Sequence, residues 1–312
     1  MVGKAICRKS HKQLTISHLQ NKPIHHTMNK LILGTVQFGL NYGINNPKGK
    51  PEKETVFQIL DYAYDQGIRL LDTADAYGNA APLIGEFHRT TGKKFDVITK
   101  FTLGSGKSPD PRSALRLLDV DSIWGYLYHS FEDFVQYPEV LGELKKWQNK
   151  GFIQHIGLSV YTNEAFETAI ETDAIQLIQL PFNLLDNERQ RGDLIKKAKA
   201  RNKIIHTRST FLQGLFFKDA DHLPPKLSPL RADIGRIQSL AHSHNMDVAT
   251  LALRYVAANP LVDQLLIGVD NLDQLKTNLK ALQETSLPPE LVHQINSIAV
   301  QDAALLNPST WS

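Results

Sequence analysis

Cysteine is almost absent from this 312-residue chain, and the single one, Cys7, sits in the first 27 residues. The remainder therefore cannot form a disulfide or a thiolate metal site, a usage expected of a reducing, cytoplasmic compartment. Apolar runs of the roughly 18 residues that a membrane span needs are missing too, which predicts a soluble protein without membrane contacts. Acidic residues are missing from residues 1–27, where Lys4, Arg8, Lys9, Lys12 and Lys22 carry +5 and leave −2 for the rest of a chain whose formal charge is +3. With no basic surplus in the body, nucleic acid is not an expected partner. The first residues also lack the apolar segment of a secretory signal, and their histidines (His11, His18, His25, His26) follow no structural period. Met28 opens "MNKLILGTVQFG" just before the first strand, so residues 1–27 are expected to be a disordered leader or an upstream-start extension. Residues 28–312 are expected to form one domain. Finally, no GxGxxG follows a strand in a nucleotide-binding context, so a Rossmann site is not expected.

What the body does contain is an alternation of short β-rich runs with amphipathic helical stretches. The strand candidates are Leu31–Gly34, Ile68–Asp72, Asp96–Lys100, Ile123–His129, Gln154–Ser159, Ile175–Leu180, Ile204–Thr207 and Gln264–Gly268. In "PEKETVFQILDYAYDQG", Pro51 suits a first helical turn, Val56, Ile59, Leu60 and Ala63 share a face, and Gly67 stops the helix. "NEAFETAIET" and "NLDQLKTNLKALQ" each open on an asparagine suited to capping. Alternating β and α units imply parallel strands with crossover helices. Eight of them predict an α/β fold of one (β/α)₈ TIM barrel. Between strands seven and eight lies a long polar loop, Phe216–Pro229, followed by helical stretches around Ile234–His244 and Val248–Ala257. Excursions of that length in a compact domain are usually lids or binding loops.

The site of such a barrel lies at the C-terminal ends of its strands. Strand two ends at Asp72 and its loop brings Tyr77; strand three ends at Lys100 and strand four at His129. Each of these alone also reads as a turn, cap or rim residue. Together they bring a carboxylate, a phenol, an ammonium and an imidazole to one mouth. An ammonium about 4 Å from a phenolate, at an effective dielectric of about 20, attracts it by roughly 4 kcal/mol. That is enough to bring a tyrosine from about 10 to about 7. Asp72 would hold the ammonium and partly offset it, while His129 would align a carbonyl oxygen. No metal-ligand set and no nucleophilic cysteine accompany the four. The constellation suits proton delivery to a carbonyl oxygen while another agent attacks the carbon.

These residues resemble the aldo-keto reductase superfamily. The resemblance covers most of residues 30–283 and is carried, in order, by "LGTVQFGLNYG", "LLDTADAYG", "VITK", "YLYHS", "GFIQHIGLSVY", "IQLPFN" and "GVDNLDQLKTNL". It implies reversible interconversion of carbonyls and alcohols with NADP(H) or NAD(H), and a small-molecule substrate. Tyr77 would be the general acid–base residue, Lys100 would lower its pKa, Asp72 would pair with Lys100, and His129 would orient the substrate oxygen. By the same resemblance, Ser159 and Gln179 would hold the nicotinamide amide, and Ser209, Gln213 and Gly214 would pass the pyrophosphate. Gly268, Gln274 and Asn278 would grip the adenosine end, with the helix starting near Leu272 offering free N–H groups to a phosphate.

Three positions depart from the pattern. Val160 stands where an asparagine is frequent and cannot hydrogen-bond an amide. Arg208 stands where many members stack an aromatic ring on the nicotinamide; its planar guanidinium can stack as well, and its charge favours an anionic substrate. Asp270 stands where NADP-preferring members often carry a base. A carboxylate repels a 2′-phosphate but accepts hydrogen bonds from ribose hydroxyls, so NAD(H) is expected to be at least tolerated. Phe38, Trp124 and the 209–228 loop are candidates for shaping the mouth, and the polar groups there lean toward a polyol or sugar-derived carbonyl. Two rival readings fit the same residues. One is a nucleotide-binding redox-sensing or regulatory barrel with little turnover; the other is an isomerase or aldolase using Lys100 as a Schiff-base amine.

Overall fold

The computed structural model describes residues 30–46, 48–104, 109–284 and 286–311. The expected leader, 1–27, lies outside the described residues. Eight strands, β1 (Leu31–Gly34), β2 (Leu70–Asp72), β3 (Asp96–Phe101), β4 (Ile123–Tyr128), β5 (Ile153–Ser159), β6 (Leu177–Pro181), β7 (Ile204–Arg208) and β8 (Gln264–Gly268), pair in chain order. Every pairing is parallel, and β8 returns to β1 to close the barrel. The expected (β/α)₈ architecture is therefore present, with strand ends shifted by no more than two residues from those expected.

Strand alternation decides what fills the barrel and what crowns it. Ile32, Leu70, Ile98, Leu127 and Leu177 form one buried cluster, whereas Leu31, Leu33, Leu71 and Val97 belong to the larger core shared with the helices. Successive strand residues point to opposite faces. The residue two positions beyond each interior apolar side chain therefore faces the same way, one level higher. Those positions are Gly34, Asp72, Lys100, His129 and Gln179. The same repeat that packs the barrel thus delivers the polar groups to its mouth.

The helices refine several expectations. Pro51 precedes the helix Lys53–Asp65, whose N-cap is Glu52, so it lies outside the first turn. The helix Asn163–Glu171 is capped by Thr162, whose hydroxyl accepts from the Ala165 amide, because the Asn163 side-chain carbonyl is drawn to Arg191 at 2.7 Å. Asn271 does cap Leu272–Ala281, accepting from Gln274 N. The excursion after β7 folds into short 3₁₀ turns (Leu212–Phe217, Ala220–His222, Pro225–Leu230) and the helices Arg231–Ser243 and Val248–Ala258. Among the described residues, no helix is long and apolar enough to cross a membrane.

Trp124 and Phe38 do not shape the mouth. Phe38 is fully buried in the core. Trp124 lies near the start of β4, at the opposite end of the barrel from the strand C-termini, packed against His155 (ring centroids 4.6 Å apart) and His206 (5.3 Å, nearly parallel). His206 is wholly buried, and among the described residues neither ring nitrogen has a hydrogen-bond partner. Burial, with smaller contributions from His155 and Lys199, pushes it from 6.5 down to about 3. Such a base stays neutral in the fold but protonates in the unfolded chain, so its contribution to stability is complete above about pH 6.5 and is lost as the pH falls toward about 3. The expected cost at pH 5 relative to pH 7 is about 2 kcal/mol from this residue alone. Urea melts of wild type and His206→Leu at both pH values check this, since the variant should lose that part of the acid sensitivity.

Candidate active site

At the centre of the mouth, Lys100 Nζ donates to Asp72 Oδ1 at 2.5 Å and to the Thr73 carbonyl at 3.1 Å. Gln179 Nε2 donates to the other carboxylate oxygen at 2.8 Å. All three residues are buried, at 2% exposure or less. The backbone around Asp72 is fixed from β1, because Thr35 gives both its amide and its hydroxyl to the Asp72 carbonyl. Burial pulls the Lys100 ammonium below the ordinary lysine range, and Asp72 raises it back. Breaking such a pair by removing one partner leaves an uncompensated buried charge, the costly case.

Tyr77 follows on the loop after β2, where Tyr77 N closes a turn on the Ala74 carbonyl. Its placement depends on glycine: a Cβ on Gly39 would lie 1.8 Å from the Tyr77 carbonyl oxygen, and a Cβ on Gly78, at φ +54°, would lie 2.5 Å from the Gly39 oxygen. The β1 and β2 loops can therefore nest only as glycine against glycine. Lys100 Nζ sits 5.2 Å from the Tyr77 ring centroid, and the His129 ring meets Tyr77 edge-on at 5.9 Å. Asp72, Tyr77, Lys100 and His129 all line one cavity of about 820 Å³.

The electrostatics differ from the expectation of a phenol near 7. Burial pushes Tyr77 well above the ordinary tyrosine range, Asp72 pushes further in the same direction, and Arg208 opposes them. Burial is the largest cause, and the Lys100 charge does not offset it because Asp72 pairs with that ammonium in direct contact. Burial, helped by the Lys100 and Arg208 charges, lowers His129 from 6.5 to about 4, so its imidazole is neutral at pH 7. Its Nδ1 is buried without a partner among the described residues.

The same cavity extends over the ends of β5 to β8. Ser159, Gln179, Arg208, Ser209, Gln213, Gly214, Gly268, Asp270, Gln274 and Asn278 all line it, so the residues expected on the dinucleotide side are brought together with the other four. The loop after β7 has left-handed backbone at Ser209 (φ 61°), Leu212 (48°), Gln213 (53°) and Gly214 (90°). Residues held in sparsely populated conformations concentrate where a ligand must be met. Asn183 secures this loop by donating to the Ser209 carbonyl at 3.1 Å. Asp270 is held from two sides, by Asn46 Nδ2 at 3.1 Å and Gln274 Nε2 at 3.2 Å, while burial raises its carboxyl above the usual range. The Val160 side chain is packed in the core; its carbonyl accepts from Arg208 at 3.1 Å and its amide donates to the Gln179 carbonyl at 2.9 Å.

Known proteins resemble the chain over most of its length. The aldo/keto reductase family profile matches residues 30–300, most of the chain. The chain belongs to the aldo/keto reductase family. Among curated relatives it is 25% identical to probable aldo-keto reductase 1 of Glycine max, with 87% of this chain and 86% of that one covered. It is 24% identical to aldo-keto reductase yakc [NADP(+)] of Schizosaccharomyces pombe, over 70% of each chain. Among solved structures, aldo-keto reductase AKR11C1 of Bacillus halodurans in its holo form superposes with a TM-score of 0.67 at 21% identity, covering 87% of this chain and 92% of that one. The fold is thus shared with solved aldo-keto reductases.

Aldo-keto reductases use NAD(P)H, and this mouth suits such a group. Gln179 Oε1 and Gln37 Oε1 are buried acceptors with no partner among the described residues. A Cβ on Gly268 would fall 2.3 Å from Gln37 Oε1, so only glycine leaves that side chain its place. Some contributors were not evident from the sequence. Tyr161 lines the cavity, and the Arg208 guanidinium lies 3.9 Å from its ring centroid. Arg191, in a buried ion pair with Asp186, holds the Tyr161 carbonyl at 2.6 Å. Asp75 fixes the end of β3 by accepting from Thr102 N and its hydroxyl, both at 3.0 Å. The second carboxylate of "DTADAY" was the available signal for Asp75; nothing in the sequence ties Arg191 to Tyr161.

Proposed function

We propose that this aldo-keto reductase reduces a small polar aldehyde or ketone, sugar-derived compounds included, with Tyr77 as the proton donor. The observation that supports this best is the single cavity shared by Tyr77, His129 and the Asp72–Lys100 pair. Bound NAD(P)H would supply a hydride to the carbonyl carbon. Tyr77 gives its proton to the carbonyl oxygen as negative charge grows there. A phenol kept protonated at neutral pH is in the correct form for that task, and an alkoxide is a far stronger base than a phenolate. Neutral His129 donates a hydrogen bond to the same oxygen and sets its position. Lys100 and Asp72 keep the phenol's surroundings rigid and near zero net charge. The inventory favours reduction over oxidation at neutral pH, because oxidation must begin from the scarce phenolate.

For the dinucleotide, Ser159 and Gln179 would hold the amide of the nicotinamide, and the face of Arg208 turned from Tyr161 would cover its ring. Ser209, Gln213 and Gly214 would follow the pyrophosphate, and Gly268, Asp270, Gln274 and Asn278 the adenosine end. Asp270, steadied by Asn46 and Gln274, would accept ribose hydroxyls and repel a 2′-phosphate. NADH is therefore expected to bind at least as tightly as NADPH; fluorescence titration with each measures this, and a strong preference for NADPH would remove Asp270 from the role. The reaction itself is tested by following cofactor oxidation over a panel of aldoses, ketoses and simple aldehydes. Many turnovers per protein are expected. Oxidation of one cofactor per protein would favour a redox-sensing barrel, and a borohydride-trapped adduct on Lys100 would favour Schiff-base chemistry.

A further inference from the structure

Arg208 is a half-buried cation with spare capacity. Its Nη2 donates to the Val160 carbonyl at 3.1 Å and its Nη1 to Ser209 Oγ at 3.4 Å. A guanidinium has five N–H donors, so three have no acceptor among the described residues. No carboxylate pairs with it there, in contrast to Lys100 and Arg191, which are matched by Asp72 and Asp186. The group lies over the ring of Tyr161, whose carbonyl Arg191 holds, and this contact keeps it at the cavity wall. Holding a bare cation in such a setting costs solvation, and an unpaired charge in a cavity is most simply understood as awaiting an anion.

Position says which part of a substrate that anion belongs to. Arg208 ends β7, and in the eight-membered ring β7 lies four strands from β3, which carries Lys100. Tyr77 and His129 stand on the β2–β4 side. A carbonyl oxygen held between them leaves the rest of a short molecule pointing across the mouth toward β7. The remaining carboxylates of the cavity are placed elsewhere: Glu132 is exposed beyond β4, and Asp270 and Asp273 lie past β8.

We infer that the substrate of this reductase is a short carbonyl compound bearing a carboxylate at its far end, which Arg208 seats as a planar, two-pronged partner. This rests on the reductase reading above and narrows it to an aldehydo or keto acid. Guanidinium and carboxylate match in shape, so the contact gives orientation as well as attraction. A site built around that contact should discriminate against a neutral analogue, since the analogue leaves the cation unpaired.

The test compares succinic semialdehyde with butanal, which has the same chain length and no carboxylate. For wild type, the ratio of kcat/KM values is expected to favour the acid on the order of 10²-fold. In Arg208→Gln the ratio should fall close to one, and in Arg208→Lys to an intermediate value, because a point charge lacks the fork. Any effect on the dinucleotide is common to both substrates and cancels in the ratio. A wild-type ratio near one, or a ratio unchanged by Arg208→Gln, overturns the inference. Calorimetric binding of 4-hydroxybutyrate against 1-butanol gives a second readout that needs no turnover. If neither aldehyde is reduced yet the acid binds only when Arg208 is present, the anion seat stands and the reductase reading falls. If the acid binds no better than the alcohol, the seat falls.

Discussion

Replacing Tyr77 by phenylalanine is expected to lower kcat for aldehyde reduction by about 10³-fold, within the range for losing a positioned proton donor. The dissociation constant for NADH should stay within about twofold, because the ring and its contacts remain. The expectation follows from the residues around the reacting oxygen. His129 is neutral, held at about 4, and offers a hydrogen bond rather than an acidic proton. Lys100 has its ammonium turned to the Asp72 carboxylate and the Thr73 carbonyl. Of the four groups Asp72, Tyr77, Lys100 and His129, Tyr77 is the one that combines a transferable proton with freedom from a side-chain partner. Stopped-flow and steady-state rates with one aldehyde, together with a fluorescence titration of the cofactor, measure both halves. Equal loss of binding and turnover would make Tyr77 a structural residue.

Lys100→Met should have the largest effect on stability. It leaves the carboxylate of Asp72, a residue 2% exposed, with Gln179 as its one remaining side-chain donor. Breaking a buried pair from one side costs about 3–5 kcal/mol, whereas replacing both partners by apolar groups is often near neutral. The double variant Lys100→Met, Asp72→Leu is therefore expected to recover most of the lost stability in urea melts. Neither variant should recover activity, since the phenol would then sit in a different field. Recovery of turnover in the double variant would show that the pair serves only the fold.

The barrel was legible because its signals are local and repeated. Short β-branched and apolar runs separated by amphipathic stretches fix the element order, and the two-residue period fixes which side chains reach the mouth. Asp72, Lys100 and His129 could be placed from the strand ends, and Gln179 through the family resemblance. What escaped was set by contacts between distant elements. Asn163 is a good cap by its residue type, yet Arg191 claims its side chain and Thr162 caps instead. Trp124 is an aromatic residue on the correct strand but at the wrong end of it, stacked on His206. The acidity of Tyr77 departs from expectation for the same reason. Position gives the sign of a neighbouring charge, while burial and direct neutralisation by Asp72 are properties of the packed mouth. Tyr161 as the seat of Arg208 likewise depends on the ends of β5 and β7 meeting the helix that carries Arg191.

The pH dependence of kcat in the two directions addresses the central assertion, that the working form of Tyr77 in reduction is its neutral phenol. With saturating cofactor and aldehyde, kcat for reduction should be level from about pH 6 to about pH 9, with alcohol oxidation climbing through the same interval. A reduction rate that halves near pH 7 would instead mean that the hydroxyl ionises there, and Tyr77 would not work as a neutral proton donor.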